Sequence, residues 1–399
     1  MDETQTTVFD EWRSIVISLY MGLVGYSVLV GIPVISTAWV GLLGFSETEV
    51  GRVAGADLGG LSLGAVLASR VIAKVNRRLL VLLGIALAVL GNGLCMILVD
   101  YESVLWLRLL AGVGSGIYTA VAVATLGATS KPARAFNMLL FAFAFTQALE
   151  LQFLPSLSMN GIYTVFIVIY LVTLPGLRWL PPHPVRPALE LTLDVETPDH
   201  QHHLEHFPVP AWAPWLVLFA VLATYINIGA YWTYIELASL DSAASPDAIS
   251  KILVWASFCS ILGCLVATVI SNRFGLAKPL LITLVCQALI VGMLASGITD
   301  LRALVSIFGF NFLWIFIDVY QMGTIANIDP SGRFAALIPA SQGLGQILGP
   351  NLAASIVAMG QGYGPVFIMC AAASAVAFAV YGLMYIGLRR EIPALADAT

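Results

Sequence analysis

Apolar blocks of membrane-spanning length recur from residue 14 to residue 387, separated by short charged, proline-bearing or glycine-bearing stretches. A helix needs roughly 20 apolar residues to cross the hydrocarbon core of a bilayer. Charge clusters, Pro and Gly set the predicted spans at 14–41, 48–71, 78–99, 103–129, 135–158 and 161–180. A second set follows at 213–240, 247–270, 279–297, 301–326, 334–359 and 363–387. Several exceed a minimal span, as tilted helices do. Only 10% of residues are charged and 59% are hydrophobic, against about a quarter charged in a soluble domain. An isolated anchor on a soluble domain is excluded.

Between the two sets, residues 181–212 are polar and carry seven prolines, the composition of a linker. A shift of 199 residues places Ser46 on Ser245, Arg52 on Lys251, Gly64 on Gly263 and Ala68 on Ala267. The same shift places Arg134 on Arg333 and Gln147 on Gln346. The expected fold class is an all-α polytopic membrane protein, with twelve transmembrane helices in two pseudo-symmetric six-helix bundles. The bundles would be residues 1–180 and 213–399, joined by the linker at 181–212. Duplicated halves with a site between them near the midplane are a common plan of secondary transporters.

Basic residues give an expected orientation. Fourteen Lys and Arg residues, among them Arg13, Arg70, Arg77, Arg78, Arg178, Arg389 and Arg390, fall on one side, against Arg52, Lys251 and Arg302 on the other. Both termini and the linker are expected in the cytoplasm, with the chain in a bacterial inner membrane. The opening MDETQTTVFDEW is acidic and lacks a small-residue cleavage site, so no cleavable signal is expected.

Ionisable groups inside a bilayer are costly and usually face a cavity or a partner. Asp57 lies 11 residues beyond Ser46, about 16 Å into its helix. It reads either as a proton or substrate site, or as a structural bond to an arginine or the backbone. Glu150 has Gln147 one turn before it. Asn311, Trp314, Asp318 and Gln321, spaced by three, four and three, share one helix face. An aromatic beside amides and an acid fits a ligand wall, while the position of Asp318 also fits an inner gate. Arg108 could pair with an acid or attract an anion. Asp57, Glu150, Asp318 and Arg108 are therefore the proton-coupling candidates. Tyr26, Gln342 and Gln346 are further substrate-binding candidates beside Gln147, Asn311 and Trp314; so are Asn227, Tyr231 and Tyr234, which share a face of the seventh span.

Other chemistries find little support. No phosphate loop, intramembrane-protease motif or metal-hydrolase motif occurs, and all five histidines lie in the linker. An enzyme and a cofactor are therefore not expected. His200, His202, His203 and His206 could hold a metal ion, but a solvated linker is the plainer reading. The five cysteines sit in apolar blocks as small hydrophobes. No basic patch interleaved with aromatics indicates nucleic acid.

Arg108-Leu-Leu-Ala-Gly112-Val-Gly114 in the fourth span and Asn272-Arg273-Phe274-Gly275 after the eighth resemble signatures of the major facilitator superfamily. The corresponding first-half loop, Ala73-Lys74-Val75-Asn76-Arg77-Arg78, keeps the basic residues but lacks the acid and the glycine. The resemblance implies that spans 1, 4, 7 and 10 line the cavity, and marks Arg77, Arg78, Asn272 and Arg273 as gating-loop candidates. It implies a secondary active transporter of a small organic solute, working by alternating access with proton coupling. The fifth span, FAFAFTQALELQFLP, lacks the Gly-Pro motif of many drug–proton antiporters, which weakens the multidrug-efflux alternative. A non-transporting membrane sensor of the same fold is the other alternative. The expected partners are the solute, protons and the lipid bilayer, with the chain acting as a monomer.

Overall fold

The computed structural model describes residues 8–72, 74–129, 132–182, 210–242, 244–270, 275–328, 334 and 337–391. Asn272, Arg273 and the linker histidines lie outside the described residues. The described chain is helical. The first six long helices are α1 (Trp12–Leu43), α2 (Glu47–Val71), α3 (Arg77–Cys95), α4 (Tyr101–Gly127), α5 (Pro132–Phe153) and α6 (Met159–Trp179). After the linker come α7 (Ala213–Leu240), α8 (Pro246–Ile270), α9 (Ala277–Ser296), α10 (Asp300–Ile328), α11 (Ile338–Val357) and α12 (Gly364–Glu391). The side carrying the start of α1 and the end of α6 is called the linker side, and the opposite side the far side.

Polar residues start these helices where the apolar blocks end. Ser46 and Glu49 form a reciprocal capping box at α2, with Ser46 N donating to Glu49 Oε2 at 2.8 Å. Asp100 caps α4 by accepting from Ser103 N at 3.0 Å, and Asn76 caps α3 by accepting from Arg78 N at 2.9 Å. Each cap satisfies an N–H that has no partner inside its helix.

Eleven of the described helices are long and apolar enough to cross a membrane. The exception is α11, whose 20 residues include Ser341, Gln342, Gln346, Asn351 and Ser355. Its lipid stripe is narrow: Leu344, Leu348 and Leu352, spaced by four, are exposed. The rest of α11 packs on protein, where side-chain polarity is tolerated.

The 199-residue repeat is expressed in packing. A Cβ on Gly64 of α2 would lie 2.1 Å from the carbonyl oxygen of Val113 on α4. A Cβ on Gly263 of α8 would lie 2.3 Å from the carbonyl oxygen of Phe312 on α10. Val113 and Phe312 are themselves 199 residues apart, so both halves repeat one close helix crossing.

Three helices are interrupted. In α6, Val172 separates Met159–Leu171 from Thr173–Gly176. In α1, Tyr26 separates Trp12–Gly25 from Ser27–Leu43. Ser115 Oγ donates to the Gly25 carbonyl at 2.6 Å, and Tyr170 Oη donates to Ser115 Oγ at 2.8 Å. The break thus has polar partners, as a helix interruption in lipid requires. In α8, a turn at Ser257 and Phe258 separates Pro246–Ala256 from Cys259–Ile270.

The halves meet through α2 on α11, α1 on α7 and α5 on α8. Gly51, Gly55 and Gly59 give α2 a flat stripe that admits Pro350, Asn351 and Ile347 of α11. Towards the far side, Arg52 donates from Nη1 to Asn351 Oδ1 and from Nη2 to Ser355 Oγ, both at 3.2 Å. Tyr234 Oη donates to the Glu47 carbonyl at 2.7 Å, and Trp232 Nε1 to the Leu29 carbonyl at 3.1 Å. These bonds close the far side of the interface.

Candidate functional site

The intramembrane polar groups separate into a cluster inside the first half and a cluster between the halves. The first is built on Asp57 and Arg108, which are ion-paired with almost no exposure. Arg108 Nε donates to Asp57 Oδ2 at 2.7 Å, Nη2 donates to the same oxygen, and Nη1 donates to Asn92 Oδ1 at 2.7 Å. The guanidinium lies 5.7 Å from the Tyr163 ring centroid, and Trp39 Nε1 donates to Tyr163 Oη at 3.1 Å. Five helices of the first half therefore converge on one buried charge pair.

The glycines after Arg108 make that convergence possible. A Cβ on Gly112 would lie 2.2 Å from the Asp57 carbonyl oxygen, and one on Gly114 would lie 2.6 Å from the Gly84 carbonyl oxygen. The Arg-x-x-x-Gly-x-Gly pattern thus brings α4 against α2 and α3 while its arginine reaches Asp57.

The second cluster gathers on Asp318 of α10. Tyr225 Oη donates to Asp318 Oδ2 at 2.7 Å, and Gln342 Nε2 donates to Tyr225 Oη at 2.8 Å. Asp318 Oδ1 is buried without a hydrogen bond, and no ion pair among the described residues includes Asp318. Trp314, one turn away, is buried with its Nε1 near the Asp318 carboxylate and the Tyr225 hydroxyl but short of good hydrogen-bond geometry, and its ring lies 6.3 Å from Trp232. From the other half, Tyr26 lies at the break in α1, close enough for the Asp318 charge to act on its hydroxyl. Its ring meets Phe143 of α5 edge-on at 6.1 Å. Tyr26 and Tyr225 are related by the 199-residue shift, and so are Phe143 and Gln342. The two halves present equivalent positions to one site, but the second half alone carries the acid and the amide there.

The remaining candidates are distributed around this centre. Gln147 Nε2 donates to Asn311 Oδ1 at 3.4 Å, a contact from α5 to α10 across the halves. One turn further along α5, Glu150 Oε2 is buried without a hydrogen bond, facing Gly31, where a Cβ would lie 2.8 Å away. Gln346 is buried on α11 beside Gly229 of α7. Asn227 and Tyr231 face the interior of the second half. Asn227 Nδ2 donates to Ser374 Oγ at 2.7 Å; Tyr231 Oη pairs with Ser306 Oγ at 2.9 Å and stacks on Phe310. Tyr234 reaches α2 on the far side, as described above. Arg77 is buried against Thr125, with Nη1 donating at 3.3 Å. Arg78 Nε and Nη2 donate to the carbonyls of Leu180 and Arg178, tying α3 to the end of α6.

Tyr225 was not among the residues expected from sequence. The spacing of Asn227, Tyr231 and Tyr234 defines a neighbouring face of the same helix that does not include it. The repeat could have found it, because the 199-residue shift carries Tyr26 onto Tyr225. Asn92 and Tyr163, which complete the first cluster, have no such signal.

The family profile described as Major Facilitator Superfamily matches residues 14–331. The fold is similar to two solved structures of the nucleoside transporter NupG, one of them a point variant. The TM-scores are 0.70 for the variant and 0.67 for the other, each at 13% identity. The matches cover 93% of this chain and 99% and 98% of the two NupG chains, respectively. No curated protein matches the chain. At this identity the structural likeness concerns the fold.

Proposed function

The chain belongs to the major facilitator superfamily and is a transporter rather than an enzyme; from that premise we propose proton-coupled movement of a small polar organic solute by alternating access. The observation that carries this reading is Asp318, which accepts from Tyr225, itself bonded by Gln342, and whose charge reaches Tyr26 of the other half. A buried carboxylate with no cationic partner is costly. A proton, or a donor group of the solute, relieves that cost. Binding at this point therefore bears on the relative position of the halves, because the site includes residues of both.

Asp318 takes precedence over Asp57 as the coupling carboxylate. Asp57 is already neutralised by Arg108, and its surroundings come from the first half alone. Glu150 is the second candidate, since Oε2 has no partner and α5 turns this face towards α1. The solute class follows from the groups around Asp318: the rings of Tyr26, Phe143 and Trp314 suit a flat face, and Gln342 and Asp318 suit hydroxyl or amide donors. Nucleosides have that combination and are the first solutes to test, in keeping with the structural likeness to NupG. The basic residues support a cytoplasmic linker side and an inner-membrane location.

Transport into proteoliposomes of radiolabelled nucleosides, with and without an imposed pH gradient, tests the proposal. Wild type should accumulate solute in response to the gradient. Asp318→Asn should retain solute exchange and lose gradient-driven accumulation, whereas Asp57→Asn should lose folded protein instead. Gradient-driven accumulation by folded Asp318→Asn protein, at the wild-type pH dependence, would overturn the coupling role.

A further inference from the structure

The linker-side ends of α1, α3 and α6 border an open cavity of about 520 Å³ that shares no lining residue with the site between the halves. Its charged lining is Arg13, Arg78 and Arg178, against the single acid Glu11. No ion pair among the described residues includes any of the three arginines. Arg78 is oriented in advance, since Nε donates to the Leu180 carbonyl at 2.8 Å and Nη2 to the Arg178 carbonyl at 2.7 Å. Its Nη1 makes no hydrogen bond to the described residues. Arg13 and Arg178 are exposed. Guanidinium forks match phosphate oxygens in geometry as well as charge.

The position of the cavity identifies the source of the phosphate. Trp12 and Trp179 pack at 6.3 Å beside it, and tryptophans of this kind settle at the head-group level of a bilayer. The same three helices continue into the membrane with Val16, Leu79, Leu82 and Leu174 exposed, a surface that acyl chains can follow. We propose that the arginines of this cavity hold the phosphate of an anionic phospholipid head group. Basic pockets between helices are known receptors for such head groups. Bound there, the lipid would brace the end of α6 and the start of the linker, where the Arg77 backbone N–H already donates to the Pro182 carbonyl at 2.9 Å.

Native mass spectrometry of delipidated full-length protein tests this directly. The probes are phosphatidylglycerol, phosphatidylcholine with the same acyl chains, and inorganic phosphate. Phosphatidylglycerol should be retained over phosphatidylcholine. Arg13→Gln and Arg178→Gln should each weaken its binding roughly fivefold, as expected for about 1 kcal/mol per arginine. Arg13→Lys should keep most of the affinity. Arg70→Gln, an exposed arginine on the same side but outside the cavity, should change nothing. Equal retention of the two lipids, or an equal loss in Arg70→Gln, would overturn the site. Displacement of phosphatidylglycerol by an equal concentration of inorganic phosphate would overturn the lipid assignment.

Discussion

Tyr225 donates to Asp318 at 2.7 Å, while Tyr26, its equivalent 199 residues earlier in the other half, lies within reach of the same carboxylate's charge. Their hydroxyls are used differently. That of Tyr225 donates to Asp318 and accepts from Gln342, while that of Tyr26 makes no hydrogen bond to the described residues. Pseudo-symmetry thus supplies the matched rings, and the asymmetry of the site comes from their neighbours.

Tyr225→Phe should therefore impair transport more than Tyr26→Phe. The first substitution strips a buried carboxylate oxygen of its donor and an amide of its acceptor, a cost of about 1–3 kcal/mol for each group left unpaired. The second removes a hydroxyl that only the solute would use. Initial rates in proteoliposomes should show Tyr225→Phe altering the pH profile of transport and Tyr26→Phe altering solute affinity alone.

The Asp57–Arg108 pair leads to a different expectation. Breaking one side of a buried pair leaves an uncompensated charge and costs roughly 3–5 kcal/mol. Asp57→Asn and Arg108→Met should each lower the melting temperature in detergent and reduce the folded yield. The double variant Asp57→Leu/Arg108→Met should recover part of that loss, because replacing both partners removes the stranded charge. A double variant no better than the singles would mean that Asn92 and Tyr163 depend on the charge itself.

These contrasts mark how far the sequence could be read. Apolar blocks and the 199-residue shift are local or periodic signals, so the spans, the halves and the Gly64–Gly263 correspondence were legible. Charges inside apolar blocks were legible too, which is why Asp57 and Asp318 both stood out. What one sequence lacks is the azimuth of each helix against its neighbours. Asp57 meets an arginine 51 residues away, while Asp318 meets a tyrosine 93 residues away, and no spacing rule distinguishes those outcomes. For the same reason spacing does not show that the face of Asn227 and Tyr231 turns towards α12 and α10. In α11 the polar residues were visible, but the helices that cover them, α2 and α7, were not.

Asp100 offers a pH test outside the membrane. Its carboxyl is held below the ordinary aspartate range, chiefly by the backbone N–H of Ser103 at the start of α4. A depressed folded-state value means that the cap stabilises α4 above the usual aspartate range and is lost as pH falls through the folded value. Asp100→Ala should be less stable than wild type near neutrality. Melting temperatures of the two should converge in acid, and Asp100→Asn should show no such convergence.

The far-side closure can be loosened in two independent ways, which makes it a test of alternating access. Arg52 holds α11 through Asn351 and Ser355, and because it is only partly buried its two bonds together are worth about 1–2 kcal/mol. Arg52→Ala should raise the far-open population by roughly tenfold. The Gly51–Gly55–Gly59 stripe acts through shape instead. A Cβ at Gly55 would lie 2.3 Å from Asn351 Nδ2, so Gly55→Leu pushes α2 from α11 without removing any charge. Both variants should lengthen the distance between spin labels at Thr48 and Met359, two far-side positions in different halves. Gly41→Ala, where a Cβ meets no other atom within 4 Å, should leave that distance unchanged. Because the two variants act on one closed–open equilibrium through separate contacts, their combination should populate the long distance more than either alone without lengthening that distance further.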